Sequence, residues 1–255
     1  MKDWVLILGA SSGIGATCAI EFAKKGYNIF GVYLRKPKNH INQLTNNIQS
    51  HNVKVIFKKA NAANSESREQ IIHELKKQKL NVKAFVHSLA FGALKPFINE
   101  NTSEQLTKQN LDMTLDVMSN SLIYWTQDLF HNKLLNKGSQ IISMTSAGNS
   151  KQWDSYGAVS MAKAALESAT RQLAFELAPH KIACNCIQAG VTLTPALEKI
   201  PGYEKMIINA KSNNPHKQLT QTKDISKITV MIGSANHYWM TGNTIKVDGG
   251  EDITG

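Results

Sequence analysis

Apolar runs of strand length alternate along the chain with longer stretches of helical periodicity. WVLIL (4–8), NIFGVY (28–33), VKVIF (53–57), VKAFVH (82–87), QIISM (140–144), KIACNCI (181–187) and NTIKVD (243–248) read as strands. Helical patterns lie near 14–26, 39–51, 65–79, 155–179 and 222–233, with two more near 103–135. Val- and Ile-rich strands separated by helices predict a parallel sheet covered on both faces. The expected fold is a doubly wound α/β domain with a seven-stranded sheet. The pattern breaks from Gly190 to about Gln221, where TPALEKIPGYEKMI carries two prolines. That break predicts an insertion of short helices over a site at about 190–221.

Length and composition change this picture little. The 255 residues contain no linker, repeat or low-complexity tract, so one domain over 1–255 is expected. No run of about 18 apolar residues occurs, and MKDWVLILGASSG enters a strand and a glycine-rich turn directly. A soluble, unprocessed chain without membrane insertion is expected. Cys18, Cys184 and Cys186 match no metal-ligand spacing and read as buried thiols in a reducing cytoplasm, with no metal expected. The net charge of +10 comes from scattered lysines, with only Arg35, Arg68 and Arg171 as arginines. No basic block interleaves with stacking aromatics, which argues against nucleic acid and leaves an acidic protein partner compatible.

Candidate chemistry begins after the first strand with GASSGIG, where Gly9, Gly13 and Gly15 stand in a GxxxGxG pattern and the next residues open a helix. Glycines there allow a tight turn, and the free N–H groups and dipole of the helix start favour a pyrophosphate. In this strand-turn-helix context the motif predicts a Rossmann-type dinucleotide site, with Ser11, Ser12 and Ile14 in the same turn. An NAD-preferring site places a carboxylate after the second strand, yet no Asp or Glu occurs between Glu21 and Glu66. Arg35, Lys36 and Lys38 cluster there instead, and the arginine fork suits a 2′-phosphate, so NADPH is the expected cofactor.

In SYGAVSMAK, Tyr156 and Lys163 stand seven positions apart. On a helix this spacing turns through about 700°, placing both on one face at roughly 10 Å along the axis. GASSGIG, this Ser/Tyr/Lys set and KVDGG near the end together resemble the short-chain dehydrogenase/reductase family over nearly the whole chain. The commoner branch of that family uses Tyr-x3-Lys, but Val159 occupies that tyrosine position here. Tyr-x6-Lys, with FVHSLAFGALKPF, resembles the branch containing bacterial enoyl-acyl carrier protein reductases. VTLTPALEKIPGYEKMI looks like the substrate loop of its NADPH-using members.

The resemblance implies reduction of a trans-2-enoyl thioester on acyl carrier protein, with Tyr156 stabilising the enolate and Lys163 holding the nicotinamide ribose. The lysine's charge is further expected to draw the tyrosine toward ionisation. In enoyl reduction hydride arrives two carbons from the oxygen that gains charge. A longer tyrosine–lysine spacing would serve that geometry. Ser146 falls where the commoner branch has its catalytic serine, and substrate orientation, cofactor contact and a strand-end cap all remain open for it. Met118 takes the place of that branch's catalytic asparagine. Position in the family also implies cofactor contacts from Asn61, Ala62, Ser88, Leu89, Ala90, Gly190, Thr192 and Thr194. Phe91, Leu94, Tyr203 and Met206 are expected to line an acyl channel or to serve equally as core. A homotetramer is implied as well. The competing readings are a 3-ketoacyl or other carbonyl reductase and an NADP-binding protein without chemistry.

Overall fold

A computed structural model describes residues 2–254 of the chain. Seven strands form one parallel sheet: β1 (Trp4–Leu8), β2 (Asn28–Tyr33), β3 (Val55–Lys59), β4 (Val82–His87), β5 (Gln140–Ser146), β6 (Ala183–Ala189) and β7 (Thr244–Val247). Their spatial order is β3-β2-β1-β4-β5-β6-β7, so the direction of winding reverses between β1 and β4. Ligands in open α/β sheets bind beyond the carboxyl ends of the strands at such a reversal. The described residues also form eight α-helices: α1 (Gly13–Lys24), α2 (Lys38–Gln49), α3 (Ser65–Lys77), α4 (Lys108–Leu115), α5 (Ser121–His131), α6 (Gly157–Leu177), α7 (Tyr203–Asn213) and α8 (Thr222–Gly233).

Alternation along β1 divides the core. Trp4, Leu6 and Leu8 face a layer containing Leu75 of α3, Trp125 of α5 and Leu166 of α6. Val5 and Ile7 face the opposite layer, with Phe22 of α1, Ile48 of α2 and Ile225 of α8. Burying a side chain of Leu or Phe size contributes about 1.5–3 kcal/mol, so the two layers clamp the sheet and fix its carboxyl edge as a rigid platform. All three cysteines are buried and free. No helix among the described residues is long and apolar enough to cross a membrane.

Four sequence-based boundaries need correction, among them β6, which runs Ala183–Ala189 rather than 181–187. β3 starts at Val55, because Val53 is buried before strand pairing begins at Ile29↔Val55. The two patterns near 103–135 start only at Lys108 and join end to end through a π-helical turn, Asp116–Asn120. Tyr156 lies just outside α6 as its N-cap residue, with φ −100° and ψ 0°, preceded by Ser155 at φ +59°. Its carbonyl still accepts the Ser160 N–H at 2.8 Å, so the tyrosine is fixed to the helix start.

Candidate active site

The glycine turn closes against the end of β4. A Cβ on Gly9, which has φ +80°, would lie 2.3 Å from the Ser88 carbonyl oxygen, and one on Gly15 would lie 2.3 Å from the Gly9 oxygen. Neither position accepts a side chain without opening the turn. Ser12 is the extended N-cap of α1, and its side chain caps nothing. The N–H groups of the first turn thus keep their dipole free for an anion. Ser11 is buried, and its carbonyl accepts a 2.8 Å hydrogen bond from His40 Nε2, which therefore carries the proton. The glycine cradle and uncapped helix start fit the pyrophosphate of a dinucleotide.

Arg35 is exposed just beyond β2, its guanidinium stacked 3.7 Å from the ring centre of Phe91. Asn61 is exposed after β3 and accepts the Ala63 N–H at 3.1 Å. Ala62 is buried, its carbonyl held by Trp125 Nε1 at 2.8 Å. Both stand outside the main cavity, which contains neither residue in its wall. Across the groove, the Thr192 hydroxyl donates to the Gly190 carbonyl at 2.8 Å. Thr194 accepts the Leu197 N–H at 3.2 Å, and its methyl sits beside Gly13.

A cavity of about 460 Å³ opens at the carboxyl ends of β4, β5 and β6. It brings together Ser88, Leu89, Ala90, Ser146, Tyr156, Lys163, Gly190, Thr192 and Thr194, and Ile14 of the turn. The Tyr156 hydroxyl lies 3.4 Å from Ser146 Oγ, a long contact. Burial raises its pKa above the ordinary value, opposed by the Ser146 hydrogen bond. Lys163 is not among the causes of that shift, and with its pKa raised Tyr156 stays protonated at neutral pH and can donate. Lys163 is buried and donates to the Met144 carbonyl at 2.6 Å. Burial brings its ammonium down to about 8, against the upward pull of Cys186 and Glu167. Glu167, one turn along α6, accepts from the Thr145 hydroxyl at 2.7 Å and from Asn149 Nδ2 at 2.5 Å, which ties the loop after β5 to the helix.

Two residues that sequence reasoning missed shape this centre. His87, the last residue of β4, lies 2.8 Å from Ser121 Oγ through Nε2. The Ser121 proton goes to the Val117 carbonyl at 2.8 Å, so His87 Nε2 is the donor. Burial and the charge of Lys163 hold its pKa down to about 3, and the ring is neutral. Gly148 is the second: a Cβ there would lie 2.4 Å from Tyr156 Cε1, so this glycine makes the seat for the ring. A glycine in SAGNS carries no sequence signal for that role. The FVHS segment did offer one for His87.

Of the predicted channel residues, Phe91, Leu94 and Met206 line the cavity. Tyr203 does not: it packs on the outside of the apolar cluster that includes Tyr156, Met118 and Val159, the core alternative expected for it, while Met206 of the same first turn of α7 faces the cavity. Met118 and Val159 themselves form part of the wall. Met118 sits in the π-helical turn, a feature that re-aims side chains at functional sites. Asn110, in the first turn of α4, exchanges reciprocal capping bonds with the N-cap residue Thr107.

Comparison with known proteins agrees with this geometry. The family model described as enoyl-(acyl carrier protein) reductase matches residues 9–251. The enoyl-[acyl-carrier-protein] reductase [NADH] of Enterococcus faecalis is 27% identical over 98% of this chain and 97% of its own length. The 1-cyclohexenylcarbonyl-CoA reductase of Streptomyces collinus is 25% identical over 97% of this chain and 86% of its own. Among solved structures, enoyl-[acyl-carrier-protein] reductase (NADH) from Aquifex aeolicus superposes with a TM-score of 0.87 at 23% identity, covering 99% of this chain and 97% of that one.

Proposed function

The chain belongs to the enoyl-(acyl carrier protein) reductase family, and from that premise we propose that it reduces trans-2-enoyl thioesters on acyl carrier protein with NADPH as electron donor. The observation that carries this reading is the placement of the acid. Tyr156 and Lys163 share one cavity and stand seven positions apart, while Val159, the place for a shorter-spaced tyrosine, is apolar wall.

A bound nicotinamide supplies hydride to C3 of the substrate. Negative charge then develops on the thioester oxygen, and the Tyr156 hydroxyl donates a hydrogen bond to it. Such a donor, aimed at an oxyanion in a site shielded from water, is worth about 3–4 kcal/mol. Lys163 would hold the ribose hydroxyls with the protons not used on Met144, and its charge would favour the enolate nearby. C2 then takes a proton passed on by the Tyr156 hydroxyl, which is replenished from solvent through the Lys163 ammonium, to complete the saturated thioester. The hydroxyl of Ser146 orients Tyr156. Leu94, Met118, Val159 and Met206 exclude water from the reacting carbons, and the segment 190–221 covers the acyl chain.

For the cofactor, NADH appears in the names of the Enterococcus and Aquifex relatives. Two features support NADPH here: the absence of Asp and Glu from residues 22–65, and the exposed Arg35 fork at the end of β2. We further infer a cytoplasmic homotetramer. Exposed Phe175 and Trp239 offer apolar surface for assembly. Light scattering at working concentration tests that state, and a monomer would refute it. The chemistry is tested by reducing a trans-2-butenoyl thioester with NADPH deuterated at the transferring position. Deuterium at C3 of the product is expected; label at any other carbon refutes the assignment.

A further inference from the structure

Helix α7 changes character along the face it turns to the cavity. Met206, Asn209, Ala210 and Asn213 follow one another at helical spacing and all line the wall. Met206 packs with the cluster of Tyr156, Val159, Met118 and Leu94, so the first turn belongs to the apolar end. The last turn belongs to a polar end. Thr254 donates to the Asn213 carbonyl at 2.8 Å, which sets the end of α7 against the C-terminal turn. From that turn Glu251 enters the cavity wall, its Oε2 accepting the Val191 N–H at 3.1 Å. Lys151, also in the wall, is tethered to Asp252 of the same turn at 2.7 Å.

Asn209 and Asn213 are both exposed. The next residue, Asn214, is buried and committed to the fold, donating to Asp248 and accepting from His216. Asparagine is a poor residue inside a helix, so helix stability gives no reason for Asn209. Each amide offers a donor and an acceptor, which is what another amide requires.

We propose that Asn209 and Asn213 form the subsite for the amide-bearing arm of a carrier thioester, with the acyl chain directed to the apolar end. This rests on the enoyl-thioester reading above. The arm of pantetheine carries two secondary amides separated by two methylenes. A β-amino-acid unit is one carbon longer than the 3.8 Å span of an α-residue, giving roughly 5 Å between the amides. Four residues of helix place Asn209 and Asn213 about 6 Å apart along the axis. The spacing matches one asparagine to each amide.

The test compares the pantetheine thioester of trans-2-butenoic acid with its S-ethyl thioester, which has no amides, in the wild type and in Asn209→Leu/Asn213→Leu. The wild type should show at least tenfold higher kcat/KM on the pantetheine ester, and the variant should narrow that ratio by tenfold or more. Calorimetric binding of the product analogue butanoyl-pantetheine should weaken by a similar factor. Equal kcat/KM on both esters in the wild type, or a variant that loses both in proportion, overturns the subsite. Turnover of neither ester by the wild type is a different result, which refutes the functional reading on which the subsite rests.

Discussion

Replacing Gly148 by Ala adds one methyl group where the structure leaves no space for it. The new Cβ would lie 2.4 Å from Cε1 and 3.1 Å from Cδ1 of Tyr156, and 3.3 Å from Ser146 Oγ. Carbon atoms rest at about 3.5–4.0 Å, so the ring must retreat by about 1 Å or more. Tyr156 is buried, and Met118 and Val159 in its cluster limit the directions it can take. A misplacement of about 1 Å in a reacting group costs on the order of 10²-fold in rate. Gly148 lies in a short 3₁₀ turn with no positive φ, so alanine meets no backbone strain. The expected variant is folded and binds cofactor, but its kcat on a saturating enoyl thioester falls about a hundredfold. Stopped-flow single turnover separates this chemical step from product release. A variant whose single-turnover rate stays within twofold of wild type would refute the claim that the hydroxyl position limits chemistry.

Tyr156→Phe removes the donor without moving the ring. Because its one hydrogen bond is the long contact to Ser146, thermal stability should change by no more than about 1 kcal/mol, while kcat falls by about 10²–10³; full turnover would remove Tyr156 from the mechanism. Arg35→Ala should raise the KM for NADPH by about 10–100-fold, the worth of one charge-assisted bond of about 1.5–3 kcal/mol, and leave NADH nearly unaffected. Equal effects on the two cofactors would show that Arg35 does not read the 2′-phosphate. With Lys163 at about 8 in the folded chain against an ordinary 10.5, its charge is present below pH 8 and lost above it. Then kcat/KM for the cofactor should decline as pH rises through about 8. Over the same interval the unfolded chain binds the extra proton, so stability should rise toward pH 10.5. A pH profile flat across that range would contradict the role of the Lys163 charge.

The sheet was legible because β1, β2 and β4 are buried on both faces, leaving continuous apolar runs in the sequence. The glycine turn was legible because Gly9 and Gly15 answer a backbone contact that no side chain tolerates. Less visible was the π-helical turn at Asp116–Asn120, since one wider turn leaves the local composition unchanged. Contacts between loops far apart in sequence left no periodic signal at all. Trp153 Nε1 donates to the Pro201 carbonyl, and Glu251 reaches Val191, each across about a fifth of the chain. These contacts decide which residues of the 190–221 segment face the cavity. Tyr203 therefore takes the core alternative rather than the channel, and Asn209 was overlooked, though both lie in the segment expected to cover the site.

The central claim is that the tyrosine stands where an enolate oxygen, rather than a ketone oxygen, gains charge. Its most direct test follows NADPH absorbance with a trans-2-butenoyl thioester and, in parallel, a 3-oxobutanoyl thioester on the same carrier. Oxidation with the enoyl substrate alone is the predicted result. Oxidation with the 3-oxo substrate alone would contradict the account and assign the seven-residue spacing to a carbonyl reductase.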